Sequence, residues 1–382
     1  MSEFTTLLKD LALVESPRWH DDRLVFSDWG AGEIIAVDLN GQHEMITQID
    51  AMPFCLDRLP DGRLLITAGD QVLIRAHDGA LSTYADLSEI STKPWNDIVT
   101  DGRGNTYVNN IGFDFGEEEF VPGLIALVRP DGSAQFVAEG LAFPNGMAVT
   151  PDNSTLIVAE SYGGALTAYD IAADGSLTGR RVWADLDGAA PDGICIDAEG
   201  AVWFAEVPGR RCVRIREGGE VRQTITSELG CFACILGGPE GTTLLVTAAA
   251  WPDAMTPGSR TGHILAAEVS VPHAGWPGSN VSAGNQALFG LAQQLPHVFD
   301  RRIGSGQDQI GVLEFLVRHP SSADANTVQQ PVQCTRELIL IIGGDGLLNG
   351  IIEGVQPAYG VIAQPPLAFI EDPNDHRKSP CG

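Results

Sequence analysis

A unit of about 40 to 50 residues repeats six times along the first 270 or so residues of the chain. Each unit begins with turn residues, and a short apolar segment and then a second one follow, as expected for β-strands. The six first segments are LVFSD (24–28), LLITA (64–68), TYVNN (106–110), TLIVAE (155–160), AVWFAE (201–206) and TLLVTA (243–248). Repeats at this spacing are typical of propeller blades. The sequence therefore predicts an all-β fold, a six-bladed β-propeller over residues 1–276.

Several of these segments are apolar without alternation, which is expected where both faces of a sheet are covered by neighbouring blades. The segment FTTLLKDLALV (4–14) precedes the first repeat. We expect it to supply the outer strand of the last blade. Such pairing would close the ring and leave no free sheet edge.

The charge balance excludes several classes of partner. The formal net charge is −27, so nucleic acid and anionic membrane surfaces would be repelled. The chain shows no basic and apolar leader and no apolar run near the roughly 18 residues of a membrane span. We therefore expect a cytoplasmic protein. Cys231 and Cys234 form a C-x-x-C without a second pair at zinc spacing, and we interpret them as buried structural thiols.

Polar residues recur at one point of the repeat, nine or ten positions before the first segment of each unit. The residues at this point are Glu15, Phe54, Asn96, Asn145, Asp192 and Ala233. If the repeats superpose, the four polar members converge around the axis. Carboxylate and amide oxygens are hard ligands, so the pattern predicts one divalent metal ion, with Ca²⁺ as the first expectation. Zn²⁺, Mn²⁺ and Mg²⁺ are the alternatives.

A simpler interpretation also applies to this pattern. Asn-Gly and Asp-Gly are common turn dipeptides, and Asn145 and Asp192 both precede glycine. Glu15 is the least turn-like member of the set. No histidine occupies an equivalent position, which argues against a histidine-rich zinc or iron centre.

The motifs around these residues resemble the SMP-30/gluconolactonase/LRE family, also called the regucalcin-like family. The resemblance spans about residues 10–272, and its motifs here are ESPRW, NDIVTDGRGNTYV, FPNGMAVTPD and PDGICIDAEGAVWFAE. It implies a six-bladed propeller in which Glu15, Asn145 and Asp192 bind the metal. It also implies that Asn96 faces metal-bound water or substrate, and that Asp192 acts as the general base.

One departure from the family bears on the substrate. Sugar-lactone members often carry an arginine two residues before the asparagine that matches Asn96, and here that position is Pro94. We expect Trp95 and Phe113, the latter within the IGFDF segment (111–115), to give the mouth an apolar wall that contacts substrate. A less polar lactone or ester is therefore expected, including an acyl-homoserine lactone.

The sequence thus predicts a metal-dependent hydrolase that opens a small-molecule lactone or related ester. A non-catalytic, metal-stabilised binding propeller and a phosphotriesterase at the same site remain alternatives, because fold alone does not decide function. Strictosidine-synthase-like chemistry is a fourth, less expected function. The chain has neither a G-x-S-x-G nor an H-E-x-x-H motif. The pattern does not predict an oligomeric state.

Residues 277–382 differ in character from the repeats, and we expect a C-terminal α/β-like extension there. ALFGLAQQL (287–295) predicts a helix, and TRELILIIGGDGLLNGIIEGV (335–355) predicts a strand, a glycine-rich loop and a helix. The second segment resembles the nucleotide-binding loop of the diacylglycerol/lipid kinase family through Gly343, Gly344, Asp345 and Gly346. Leu347 stands where that family usually has threonine. A truncated kinase-like remnant is therefore expected.

Overall fold

In the computed structural model of the chain, six four-stranded antiparallel sheets follow one another as the blades of a β-propeller. The structure describes residues 3–275 with their side chains, and the backbone of residues 301–305, 311–318, 335–342 and 348–355. By its contacts the chain divides into two compact units, residues 1–280 and 281–382. The all-β, six-bladed prediction is confirmed for the described part of the first unit.

Each blade has one strand nearest the axis, and each of these inner strands contacts the next one around the whole ring. The inner strands are β2 (Val14–His20), β6 (Leu56–Arg58), β10 (Ile98–Thr100), β14 (Pro144–Val149), β18 (Pro191–Ile196) and β22 (Gly230–Gly237). The second strands are β3 (Arg23–Asp28), β7 (Leu64–Ala68), β11 (Thr106–Asn110), β15 (Thr155–Glu160), β19 (Val202–Glu206) and β23 (Thr243–Ala249).

The two remaining strands of each blade lie further from the axis. The third strands are β4 (Glu33–Val37), β8 (Gln71–Arg75), β12 (Gly123–Val128), β16 (Ala165–Ile171), β20 (Arg211–Ile215) and β24 (Gly262–Glu268). The outer strands are β5 (His43–Gln48), β9 (Leu81–Asp86), β13 (Ala134–Leu141), β17 (Leu177–Asp185), β21 (Val221–Thr226) and β1 (Thr5–Leu11). A 3₁₀ turn at Asp253–Met255 is the one helical element in the described residues. No helix in the described residues is long and apolar enough to cross a bilayer.

The ring closes through the first strand of the chain, as the sequence predicts. Strand β1 pairs antiparallel with β24, with Thr5 opposite Ala266 and Leu11 opposite Gly262. It thereby becomes the outer strand of blade 6, whose other three strands come from the end of the repeat region. A blade built from both ends of the propeller sequence holds the ring shut.

Hydrophobic clusters fill all six seams between neighbouring blades. In the seam between blades 4 and 5, Trp183 packs with Phe204. In the seam between blades 6 and 1, Leu11 packs with Phe26 and Leu245. Every residue of β19 is buried, because blades cover both of its faces. This burial explains the apolar runs without alternation in the sequence.

The C-x-x-C pair lies in the seam between blades 5 and 6. Cys231 and Cys234 are buried there together with Cys195 and Cys212, and all four are free thiols. Burial raises the pKa of Cys234 well above its ordinary value. These cysteines therefore act as small apolar side chains, as expected.

The second unit corrects one expectation. Its described strands are β25 (Arg301–Ser305), β26 (Gly311–Arg318), β27 (Thr335–Ile342) and β28 (Leu348–Val355), joined in that order in one antiparallel sheet. The segment after the glycine-rich loop is thus a strand, and the predicted helix is wrong. Gly350 and Gly354 lower its helix propensity, and adjacent isoleucines favour a strand. The predicted helix at 287–295 and the loop at 343–347 lie outside the described residues.

Deleting residues 1–11 should destabilise the propeller, because the edge of β24 then loses its partner. Leu11 is buried, and Leu7 and Leu8 pack against the same cluster. We expect the free energy of unfolding to fall by roughly 3 kcal/mol or more, as for exposure of one buried and two half-buried leucines. Urea unfolding of the full chain and of the deletion measures this change. A chain that lacks residues 1–3 only is the control, and equal midpoints for both deletions would contradict the role of β1.

Candidate metal centre

The predicted ligands lie where the pairing of inner and second strands is interrupted. The ladder shifts register between Glu15 and Arg18 in β2, between Pro144 and Met147 in β14, and between Pro191 and Ile194 in β18. Such bulges turn side chains out of the regular alternation and are common next to active sites. They present Glu15, Asn145 and Asp192 at the same end of their strands.

The bulge of blade 1 is further shaped by the residue after Glu15. Ser16 has a φ of 51°, in the left-handed region that few non-glycine residues adopt. Its backbone N–H donates to Glu15 Oε2 at 2.6 Å. The strained backbone therefore holds one oxygen of the glutamate in place and leaves the other for a further partner.

The glycines after Asn145 and Asp192 serve close strand packing, not turns. A Cβ at Gly146 would lie 2.6 Å from the carbonyl oxygen of Asp192, and one at Gly193 would lie 2.2 Å from Cβ of Ala233. Both glycines lie inside strands, β14 and β18. The turn interpretation of the Asn-Gly and Asp-Gly pairs is therefore wrong, and the glycines allow neighbouring inner strands to approach at the axis.

A cavity of about 10 Å³ opens among these residues, with room for about one water molecule or one ion. Its lining comprises Glu15, Ser16, Pro17, Arg18, Cys55, Asn96, Asp97, Asn145, Gly146, Met147, Gly193, Ile194, Ala233 and Cys234. Three of the four predicted polar residues line it directly. The fourth, Asp192, immediately precedes the lining residue Gly193. The structure thus brings together the residues that the repeat pattern selects.

The carboxyl groups of Glu15 and Asp192 are buried close enough to repel each other. Burial raises the pKa of Glu15 to about 8, and the negative charge of Asp97 adds to that shift. Burial raises the pKa of Asp192 well above its ordinary value, and Glu15 is the largest charge acting on it. Asp192 Oδ1 is buried without a hydrogen-bond partner. A carboxylate oxygen in that position is poised to receive a cation or a proton.

Arg18 is the cation nearest to this cluster, and other acids already engage it. Its guanidinium lies 3.4 Å from Asp57 Oδ1 and 3.5 Å from Asp97 Oδ1, and it donates to the carbonyl of Ile98 at 2.7 Å. One guanidinium is thus shared by the buried carboxyl groups of Asp57 and Asp97, and its charge also opposes the rise in the pKa of Glu15. The charge balance of the cluster favours an additional cation.

Asn145 is oriented by a residue that the repeat pattern does not reveal. Its Nδ2 donates to Ser161 Oγ at 3.4 Å, and Ser161 Oγ donates to the carbonyl of Pro191 at 2.7 Å. The amide nitrogen is thereby engaged by Ser161, which leaves the amide oxygen as the atom of this side chain that could bind a cation. Ser161 also ties the strand of Asn145 to that of Asp192.

The donor set fits a hard divalent cation. It combines two carboxylates with amide oxygens, and Asp192 Oδ1 is an orphaned acceptor within it. In the described residues, no three His, Cys, Asp or Glu side chains converge as a metal-binding group. The predicted set has two such side chains, and its other donors are amides. Two thiols, of Cys55 and Cys234, also line the cavity, which the sequence pattern did not indicate.

The two predicted aromatic contacts are placed differently from each other. Trp95 has no exposed surface and packs in the seam between blades 2 and 3, so it does not line the mouth in this structure. Its backbone N–H donates to the carbonyl of Gly69 at 3.2 Å, which fixes it in that seam. Phe113 is also mostly buried, but its ring meets other aromatic rings, including Phe143, at 5.8 Å between centroids.

Fold and site together define a six-bladed β-propeller with an axial cavity lined by carboxyl and amide groups. The sequence model of the SMP-30/gluconolactonase/LRE-like region matches residues 13–250, and the chain belongs to this family. The resemblance noted in the sequence is thereby confirmed for the propeller.

Curated relatives and solved structures agree with this assignment. The pentonolactonase XacC of Haloferax volcanii is 27% identical over 254 residues, which cover 62% of this chain and 81% of the relative. The regucalcin of Xenopus laevis is 26% identical over 248 residues, 62% of this chain and 82% of the relative. A calcium-binding regucalcin from Agrobacterium tumefaciens aligns with a TM-score of 0.61 at 21% identity, covering 73% of this chain and 98% of that one. This structural likeness shows the fold.

The metal-free protein should lose stability as the pH rises. The pKa of Glu15 is about 8 in the folded protein and 4.5 in its ordinary state. The folded state therefore holds more protons than the unfolded state between these values, so stability is greatest below the lower one and falls towards the higher one. We expect the Tm measured with chelator to fall from about pH 5.5 to about pH 8.5.

Two variants separate this effect from general charge effects. Glu15→Gln should remove most of the decline, because the side chain no longer ionises. Glu139→Gln, at an exposed position on β13, should retain it. A decline of the same size in Glu15→Gln as in the parent protein would contradict the assignment.

Proposed function

We propose that the protein is a metal-dependent hydrolase that opens a lactone ring. The observation that carries this proposal is the buried, unpartnered Asp192 Oδ1 beside a second desolvated carboxyl group, that of Glu15. Perturbed acids that meet in a cleft are typical of catalytic sites. Relatives named as lactonases support the reaction class, because the family is shared.

We assign Glu15, Asn145 and Asp192 as the ligands of one divalent cation. Ca²⁺ is the first candidate because all three supply oxygen donors, and Zn²⁺, Mn²⁺ and Mg²⁺ are the ions to compare with it. When bound, the cation would supply Lewis-acid polarisation of the lactone carbonyl. It would also neutralise the repulsion between the carboxyl groups of Glu15 and Asp192.

The residues of the chain would then manage the water and its proton. Asn96 is half-buried in the cavity lining, where its side chain can hold the attacking water or the lactone. Asp192 takes a proton from that water as its oxygen bonds to the carbonyl carbon. The bond from that carbon to the ring oxygen breaks, and the proton passes to the ring oxygen. The product is the open hydroxy acid, and Asp192 is again a carboxylate.

The polarity of the mouth supports a less polar lactone, of which an acyl-homoserine lactone is one example. Pro94, in place of an arginine, removes a donor for sugar hydroxyls, and Phe113 lies among aromatic rings. The substrate is a small molecule. Residues 3–275 contain five buried cysteines, all of them free thiols. Free thiols are typical of proteins in a reducing compartment, which supports a cytoplasmic location.

Asp192→Asn and Glu15→Gln should each lower kcat/KM for lactone hydrolysis at least about 100-fold. Both variants remove a metal ligand charge, and the first also removes the base. Hydrolysis of a lactone panel, with chelator and after re-addition of each divalent ion, measures the effect. Asp187→Asn is the matched control, because this exposed residue has a φ of 53°, which asparagine tolerates.

The same panel tests the alternatives. It includes a phosphotriester, whose preferential turnover would replace the lactonase assignment. Metal binding by calorimetry without turnover of any ester would indicate a binding propeller. Full activity of Asp192→Asn with unchanged metal content would refute the assigned base.

Ser161→Ala should weaken cation binding about 10-fold, because the Asn145 amide loses the group that orients it. Calorimetric titration of the chelator-treated protein with Ca²⁺ measures the affinity. Ser154→Ala, at an exposed position in the same blade, is the control. An unchanged affinity in Ser161→Ala would show that the orientation of Asn145 does not depend on this hydroxyl.

A further inference from the structure

Five aromatic rings form one cluster on the loops of blades 3 and 4, which we call the aromatic rim. Its members are Phe113, Phe115, Phe120, Phe143 and Tyr162. Ring centroids of neighbouring members lie 4.7 to 6.3 Å apart, with edge-on and tilted geometries that attract. The loops that carry them follow the second strands or precede an inner strand, the end where the candidate metal ligands lie.

The aromatic rim is continuous with the metal centre through the backbone. Phe143 is two residues before Asn145, and its carbonyl accepts from the N–H of Ser161 at 3.0 Å. Tyr162 follows Ser161 directly, and its N–H donates to the carbonyl of Ala142 at 3.1 Å. Ser161, which orients the Asn145 amide, therefore adjoins one ring of the rim in the chain and is hydrogen-bonded to the backbone of another.

Several rim residues expose apolar surface that a folded chain ordinarily buries. Tyr162 is 56% exposed, and Phe115 and Phe120 are each 47% exposed. Phe143 has a φ of 60°, which is unfavourable for a bulky side chain. Exposed aromatic clusters and strained backbone both occur preferentially at binding sites.

Ion pairs connect the loop that carries three rings of the rim to Lys93. Lys93 Nζ lies 2.8 Å from Asp114 Oδ2 and 2.6 Å from Glu118 Oε2. It therefore connects a residue that precedes Phe115 in the chain with one that follows it. The N–H of Asp114 also donates to Glu118 Oε2 at 3.0 Å. A surface braced in this way loses little conformational entropy when a ligand binds.

We propose that the aromatic rim binds a neutral hydrocarbon substituent of the lactone, of about four carbons or more. The inference rests on the proposed lactonase function and names the substrate class for it. Glu117 and Glu119 add exposed acidic charge to the same loop, and Lys93 is already paired. An anionic substituent, such as a phosphate or a carboxylate, is therefore disfavoured. The rings instead offer apolar surface beside the reacting carbonyl.

The test uses lactams, which resemble the lactone but resist hydrolysis. A series of N-acyl homoserine lactams with acyl chains of increasing length is titrated into the full chain by calorimetry. Affinity should rise about fourfold per methylene until the chain has covered the rim. Tyr162→Ala and Phe120→Ala, which remove rings that are 56% and 47% exposed, should flatten this dependence and leave the shortest lactam unaffected. Phe136→Ala, which removes a 48% exposed ring on β13, is the matched control.

Several outcomes would overturn the proposal. These are an affinity independent of chain length, a Tyr162→Ala variant that behaves like Phe136→Ala, and no binding of the longest lactam at millimolar concentration. Sedimentation tests another occupant: if Tyr162→Ala dissociates a dimer and leaves the lactam series unchanged, the rim is a self-association surface. If the chain-length dependence holds but no lactone is hydrolysed, the rim stands and the proposed reaction is wrong.

Discussion

Contact between neighbouring inner strands, continuous around all six blades, is the constraint on which the site depends. The ligand candidates are far apart in sequence, and no local structure could bring Glu15 to Asp192. They meet because every blade delivers the same strand position to one axis. Pairing of β1 with β24 closes that ring. The first strand of the chain therefore contributes to a site that it does not touch.

The same closure places several acidic side chains close together near the axis, away from water. Acids that would be hydrated in an open sheet are desolvated together, and Arg18 is shared by Asp57 and Asp97. The raised pKa of Glu15 is the direct consequence. Without a cation, such a cluster lowers stability once it ionises, and an apolar replacement would be expected to stabilise the fold. The presence of such a cluster in the middle of a well-packed ring is explained if the cluster has a ligand.

Much of the fold could be predicted because each repeat has the same pattern of apolar strands and turn residues, even where the individual residues differ. Continuous apolar strands, turn residues and the unpaired segment before the first repeat each indicated a ring of blades. The positions of Glu15, Asn96 and Asn145 in the cavity lining followed from their shared offset of nine or ten residues before the second strand of each blade. That offset carries structural meaning, since in four of the blades it falls on or beside a bulge in the inner strand.

What could not be predicted depends on contacts between blades. The closeness of Gly146 to Asp192, the bridge from Ser161 to Asn145, and the position of Arg18 join residues with no sequence relation. Trp95, next to Asn96 in the chain, was expected at the mouth, but it is fully buried in the seam between blades 2 and 3. The helix predicted after the glycine-rich loop was wrong for a different reason. Its isoleucines and glycines fit a strand, and the partial motif suggested a helix.

The two ends of the axis differ in the cavities that open there. Beyond the candidate metal centre, a second cavity of about 410 Å³ opens at the opposite end of the inner strands. Arg18, Met147 and Ile194 line both cavities, so they form the partition between them. Arg18 is fixed there by its two acids and a carbonyl, and such a clamp does not yield readily. If the proposed reaction takes place at Asp192, its substrate therefore approaches from the loop face, the face on which the aromatic rim also lies.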